Sequence, residues 1–175
     1  MVDREKLLAI HGRSRKEQLS LAESLAVKGY GCPAGGCLLT DPEFSRRVRD
    51  LMEHNPHFAL NDIHLLKVGR HFRLSPETKL IVGRNDDENR QILTLSQEGD
   101  MVFKVEDFPG PVTLLQGKRG FKEIRMSAAI TIRYSKARGE ENARVSYRGL
   151  PGGEEEVLLV SRQERRQAEE FLETI

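Results

Sequence analysis

Six short runs rich in β-branched and aromatic residues, each closed by turn residues, constrain the fold of this chain more than any other feature. They read "RHFRL" (70–74), "KLIVGR" (79–84), "MVFKV" (101–105), "PVTLL" (111–115), "ARVSYR" (143–148) and "EVLLVS" (156–161). Runs of this length and composition are strand material. Only "SPET" separates the first two, and only "EDFPG" the next two, where Pro109 and Gly110 suit a turn. So short a gap returns the chain antiparallel, because a parallel crossover needs a dozen residues or more. A mainly antiparallel sheet is expected.

Helix signals fill the rest. Asn85 opens a helix, with Glu88 three residues on to complete a reciprocal cap. A long helix is expected from Phe121 to Ala137, and a last one capped by Ser161 with Glu164 and running through Phe171 and Leu172. The N-terminal third also reads as helical. Ser14 caps a helix with Leu21, Ala22 and Leu25 on its apolar side, ending near Gly29. After an irregular Gly/Pro stretch, Asp41-Pro42 starts another, since Asp41 accepts orphan N–H groups and Pro42 loses nothing at the first position. Its apolar stripe is Phe44, Val48, Leu51 and Met52, with Arg46, Arg47 and Arg49 turned from the core, and Asn55-Pro56 ends it. The class expected is α+β: a helical N-terminal segment followed by a mixed strand/helix domain. The division is drawn as 1–62 and 63–175, with a soft boundary from Asp62 to Val68.

No apolar run approaches a membrane span and no signal-peptide pattern opens the chain, so no membrane partner is expected. Two cysteines without a secretory signal point to a reducing compartment, the cytoplasm. The net charge of +1 hides an uneven distribution. From Lys118 to Arg138 seven basic residues face one acid, Glu123, while from Glu140 onward nine acids outnumber five basic residues. A basic block on a neutral chain suggests a polyanion. At 100° per residue, Lys122, Arg125, Arg133 and Lys136 share one narrow face of the long helix, around Ala129. Like charges so spaced repel, each pair costing a few tenths of a kcal/mol, and phosphate contact is the usual compensation. The plain alternative is a solvated face balanced by the acidic C-terminal part.

Cys32 and Cys37 lie in "GCPAGGCLL" and cannot alone complete a four-ligand zinc site. Glycines beside a thiol let backbone amides approach it, and Cys37 sits just before the helix start at Asp41, where the dipole favours an anion. Cys37 is therefore the better candidate for sulfur chemistry. One buried thiol and one incidental thiol remain the alternative.

Two stretches carry a family resemblance. "GRSRKEQLSLAESL" followed by "PAGGCLLTDPEFSRRVRDL" resembles the segment that follows the ATP-pyrophosphatase domain in bacterial tRNA thiouridine synthase-like proteins. "LLKVGRHFRLSPETKLIVGRNDDEN", "DFPGPVTLL" and "SAAITIRYSKAR" resemble the RNA-binding NFACT-R domain. The resemblance implies binding of tRNA or structured RNA, presented for uridine thiolation by an ATP-pyrophosphatase domain in cis or in trans. The chain has no S-G-G-x-D-S motif and no Walker loop, so no catalysis is expected of it alone, nor a cofactor within it. ATP and an iron–sulfur cluster would belong to the full-length enzyme, with Cys37 as one cluster ligand or as a sulfur-relay thiol. The NFACT-R comparison makes Arg70, Arg73 and Arg84 forked phosphate donors. It adds Asn89, which can equally brace the hairpin, and His71, which can stack on a base or turn inward. The RNA-binding set expected is thus Arg70, His71, Arg73, Arg84, Asn89, Lys122, Arg125, Arg133 and Lys136. Sulfur relay, iron–sulfur ligation and a protein-interaction scaffold stand as rival readings.

Overall fold

The computed structural model describes residues 16–27 and 38–170, and its compact units are 1–40 and 41–175. In the first unit, α1 (Lys16–Ser24) ends sooner than Gly29. Ala26 takes a left-handed conformation at φ 50°, and Val27 N–H reaches back to Ala22 O at 2.9 Å. This reversal satisfies the last carbonyls of the helix. Ser14 and Gly29 lie outside the described residues. A 3₁₀ turn, Leu38–Thr40, closes this unit.

The second unit is α+β as expected, with six strands in one sheet. α2 (Pro42–His54) starts on Asp41, whose carboxylate accepts from Glu43 N at 2.8 Å and Phe44 N at 2.9 Å. Asn55 closes it. Phe44 and Leu51 are buried with Leu66, but Met52 is 58% exposed. Arg47 turns inward, contrary to expectation, because its guanidinium donates to Leu66 O at 3.0 Å. α3 (Leu60–Leu65) occupies the stretch read as a soft boundary, and Leu65, Leu66 and Val68 are buried there.

β1 (Arg70–Ser75) and β2 (Thr78–Val82) form the expected hairpin. α4 (Asp86–Leu95) follows, then β3 (Met101–Val105) and β4 (Thr113–Gly117), α5 (Phe121–Arg133), a 3₁₀ turn (Lys136–Gly139), β5 (Asn142–Gly149), β6 (Glu156–Ser161) and α6 (Arg162–Glu170). The strand order is β1-β2-β4-β3-β5-β6, with every pairing antiparallel. Alternation of side chains divides the apolar residues between two faces. Phe72, Leu80, Val82, Phe103, Leu115 and Val145 pack with Ala128, Ile130 and Ile132 of α5 and Ala168 of α6. Ile81, Val102 and Leu114 point the other way, to Leu65 of α3 and Ile92 of α4.

The long helix ends four residues early, and this changes the basic stripe. Tyr134 leaves the helix at φ −94°, ψ 7°. The Ser135 hydroxyl then accepts from Ala137 N at 3.0 Å, capping the following 3₁₀ turn, while Lys136 N–H goes to Pro109 O at 2.9 Å. A serine hydroxyl that offers the backbone a local partner favours a new start over helix continuation. Lys136 therefore stands outside α5 and off the stripe. Ala129 within the stripe is buried, and Phe121, the first residue of α5, is 74% exposed.

Candidate functional site

The two arginines of β1 are three residues apart, an odd separation that sends them to opposite faces of the sheet. Arg70 shares its face with Phe72 and α5, and its guanidinium lies over the Tyr134 ring, 4.8 Å from the centroid. Arg73 faces α2 and makes a bidentate pair with Asp50, Nε at 2.9 Å and Nη2 at 2.5 Å. Burial pushes the Asp50 carboxyl up, but the Arg73 hydrogen bonds and Lys79 outweigh that and hold it below its ordinary value. His71 is fully buried, with Nε2 2.8 Å from Val68 O, and burial keeps it well below the ordinary histidine range. The inward alternative holds for His71, so it presents no ring for stacking.

The residues after α5 form the centre of a cleft. Tyr134 packs against Phe72 with ring centroids 5.9 Å apart, and Arg133, the last residue of α5, brings its guanidinium to 5.8 Å from the same ring. The Pro109–Pro111 loop lies beside them. At Gly110 an added Cβ would come to 2.8 Å from Ser135 Cβ, so only glycine permits this approach.

The other wall is the turn into α4. Asn85 Oδ1 accepts from Glu88 N at 2.9 Å, the cap expected. The return half differs: the Glu88 carboxylate takes Arg84 N at 2.9 Å and the Arg84 guanidinium instead of Asn85 N. Burial pushes Glu88 up, yet its bonds to Arg84 hold it low, so Arg84 is a paired cation. Asn89 Oδ1 accepts from Val112 N at 2.9 Å, bracing β4's approach to the hairpin. The Gly83 backbone makes room, since a Cβ there would fall 2.1 Å from Asn89 Oδ1.

On the far side, Arg165 of α6 is buried and donates to the carbonyls of Ala137, Arg138, Glu140 and Glu141. This holds Arg162 and Arg166 beside Arg138. Two adjoining cavities result, of about 680 Å³ and about 560 Å³, sharing Arg133, Tyr134 and Arg138. Their walls carry eight cationic side chains and one acid, Asp86. Among the described residues Lys136, Arg138 and Arg166 make no ion pair. Such a concentration of cations around an aromatic suits an extended anion carrying flat groups.

Of the residues expected from sequence, Arg70, Arg84, Asn89, Arg133 and Lys136 line this cleft together. Arg73, His71, Lys122 and Arg125 do not. Arg125 lies over Phe121 at 5.5 Å and pairs with Glu164 of α6, so it ties two helices together. Lys122 is exposed on the first turn of α5. Sequence reasoning missed Tyr134, Arg162 and Arg166 and did not single out Arg138. The run "RYSKAR", an aromatic interleaved with cations, was the available signal. Cys32 and Cys37, with the sulfur-relay and iron–sulfur readings of Cys37, lie outside the described residues. Among the described residues no histidine, cysteine and carboxylate group could hold a metal, and no helix is long and apolar enough to cross a membrane.

The NFACT protein RNA binding domain family matches residues 69–172, a span that contains every cleft residue named above. No curated protein matches the chain. Among solved structures, the chain is similar to the C-terminal of the fibronectin/fibrinogen-binding protein from Streptococcus suis, at 16% sequence identity and a TM-score of 0.49. The match covers 76% of this chain, which spans 62% of that one.

Proposed function

The chain belongs to the NFACT protein RNA binding domain family, and from that premise we propose that it binds structured RNA, tRNA foremost, through the cleft around Tyr134. The observation that carries this reading is the cluster of cations, three of them without an acidic partner among the described residues, in one concave surface. Backbone phosphates would supply most of the affinity, with Arg70, Arg133, Lys136, Arg138 and Arg166 as donors. The finer role, presenting a tRNA uridine to an ATP-pyrophosphatase domain for thiolation with Cys37 as a sulfur carrier, rests on the likeness of residues 12–51 alone.

The test is fluorescence anisotropy with labelled tRNA at several salt concentrations. Each neutralised phosphate contributes roughly 0.7 to the slope of log affinity against log salt for single strands. About five contacts give a slope near −3.5, or roughly a hundredfold loss between 50 and 200 mM salt. Lys136→Glu with Arg138→Glu should flatten the slope and weaken binding severely, whereas Lys122→Glu, outside the cleft, should change little. Salt-insensitive binding, or a larger effect from Lys122→Glu, refutes the assignment.

A further inference from the structure

Electrostatics explains the cations of the cleft but not its shape or its single aromatic. A convex or flat basic surface is enough to hold the backbone of a duplex. Here the cations line two joined hollows, each within the size range of small-ligand pockets, about 300–1,000 Å³. At their junction stands Tyr134, the one aromatic among the described residues lining either hollow. Its ring is fixed by Phe72 and lies beneath the Arg70 guanidinium at 4.8 Å. A guanidinium seated over a ring offers flat surface on which a further flat group can stack, and unstacked RNA bases are received on such groups.

Polar groups for a base edge are also in place. Asn85 and Asn89 each use the amide oxygen on a backbone N–H, from Glu88 and Val112 respectively. That engages both amide oxygens and leaves the NH₂ groups for other partners, and Asn85, Asn89 and Asp86 all line the larger hollow.

We propose that this cleft receives an unpaired nucleotide of the RNA, its base stacked on the Arg70–Tyr134 platform and its flanking phosphates lying in the two hollows. The proposal rests on the RNA-binding reading and narrows it: the preferred ligand is a loop, bulge or single strand, and a continuous helix is bound more weakly. Arg70 acts here through its plane as well as its charge.

The experiment compares two RNA probes of one sequence by anisotropy: a single strand carrying 2-aminopurine at a central position, and the blunt duplex made by annealing its complement. The expected result is preference for the single strand by about tenfold or more, with a change in 2-aminopurine fluorescence on binding. Arg70→Lys keeps the charge and removes the plane, and Tyr134→Leu removes the ring. Each should weaken single-strand binding about tenfold, change duplex binding less than twofold, and abolish the fluorescence change. Arg70→Lys answers the question if Tyr134→Leu proves poorly folded by circular dichroism. Equal binding of both probes with no selective effect of Arg70→Lys overturns the proposal, while salt-dependent binding that Lys136→Glu and Arg138→Glu abolish would leave the RNA-binding reading standing. Failure of the unaltered protein to bind the single strand overturns the proposal, and the labelled-tRNA titration separately decides the RNA-binding reading.

Discussion

Lys79 offers a test of the fold in which sign and size both follow from geometry. It lies on β2 with its side chain 7% exposed, and its Nζ is 3.4 Å from Asp50 Oδ2 without hydrogen-bond alignment. Burial pushes the ammonium from 10.5 down to about 8, with Asp50 offsetting part of that cost and Arg73 adding to it. In the unfolded chain a lysine titrates near 10.4. Between these values the unfolded state holds a proton that the folded state has released, so stability rises with pH across the window. At about 1.4 kcal/mol per pH unit the rise totals roughly 3 kcal/mol. Below pH 8 both states are protonated and the burial cost is present in full. Lys79→Met keeps the apolar stem and removes the charge. It should therefore be more stable than the parent by up to about 3 kcal/mol at pH 7, with the difference shrinking above pH 8 and nearly gone by pH 10.5. The Tyr147 phenol, pushed up to about 12 by burial and by its bond to Glu156, acts in the opposite direction above pH 10. It is common to both proteins and cancels in the difference. Urea unfolding of the pair at pH 7, 8, 9 and 10 measures the effect. Parallel pH profiles, or a variant less stable at pH 7, would show that Lys79 is not held as a strained cation.

Arg73→Ala should lower stability by about 3 kcal/mol in the same unfolding assay, because Asp50 keeps its burial and loses its bidentate partner. RNA affinity of the folded variant should stay within twofold of the parent, since Arg73 faces away from the cleft. Gly110→Ala should cost about 1–3 kcal/mol in thermal unfolding and also weaken RNA binding, as its Cβ would press on Ser135 and displace Lys136.

What could be read from the sequence was local. Asp41, Asn85 and Ser161 cap helices through bonds that span three residues at most, and the β1–β2 hairpin follows from a short turn. The cleft is harder to see because it joins residues nearly a hundred positions apart, from Arg70 to Arg166. Arg125 looked like an RNA ligand because its partner Glu164 is 39 residues away. Periodicity alone puts Lys136 on the helix, and it does not register that the chain leaves the helix at Tyr134 and Ser135 caps a new turn. Residue type alone groups Arg70 with Arg73, although the parity of their positions separates them.

Arg165 fastens α6 to the turn that carries Arg138 by way of four backbone carbonyls. The two segments are thereby geared to each other: a tilt of the terminal helix drags that turn along. Whatever grips or pulls α6 from outside would reshape the seat at Tyr134 without touching it.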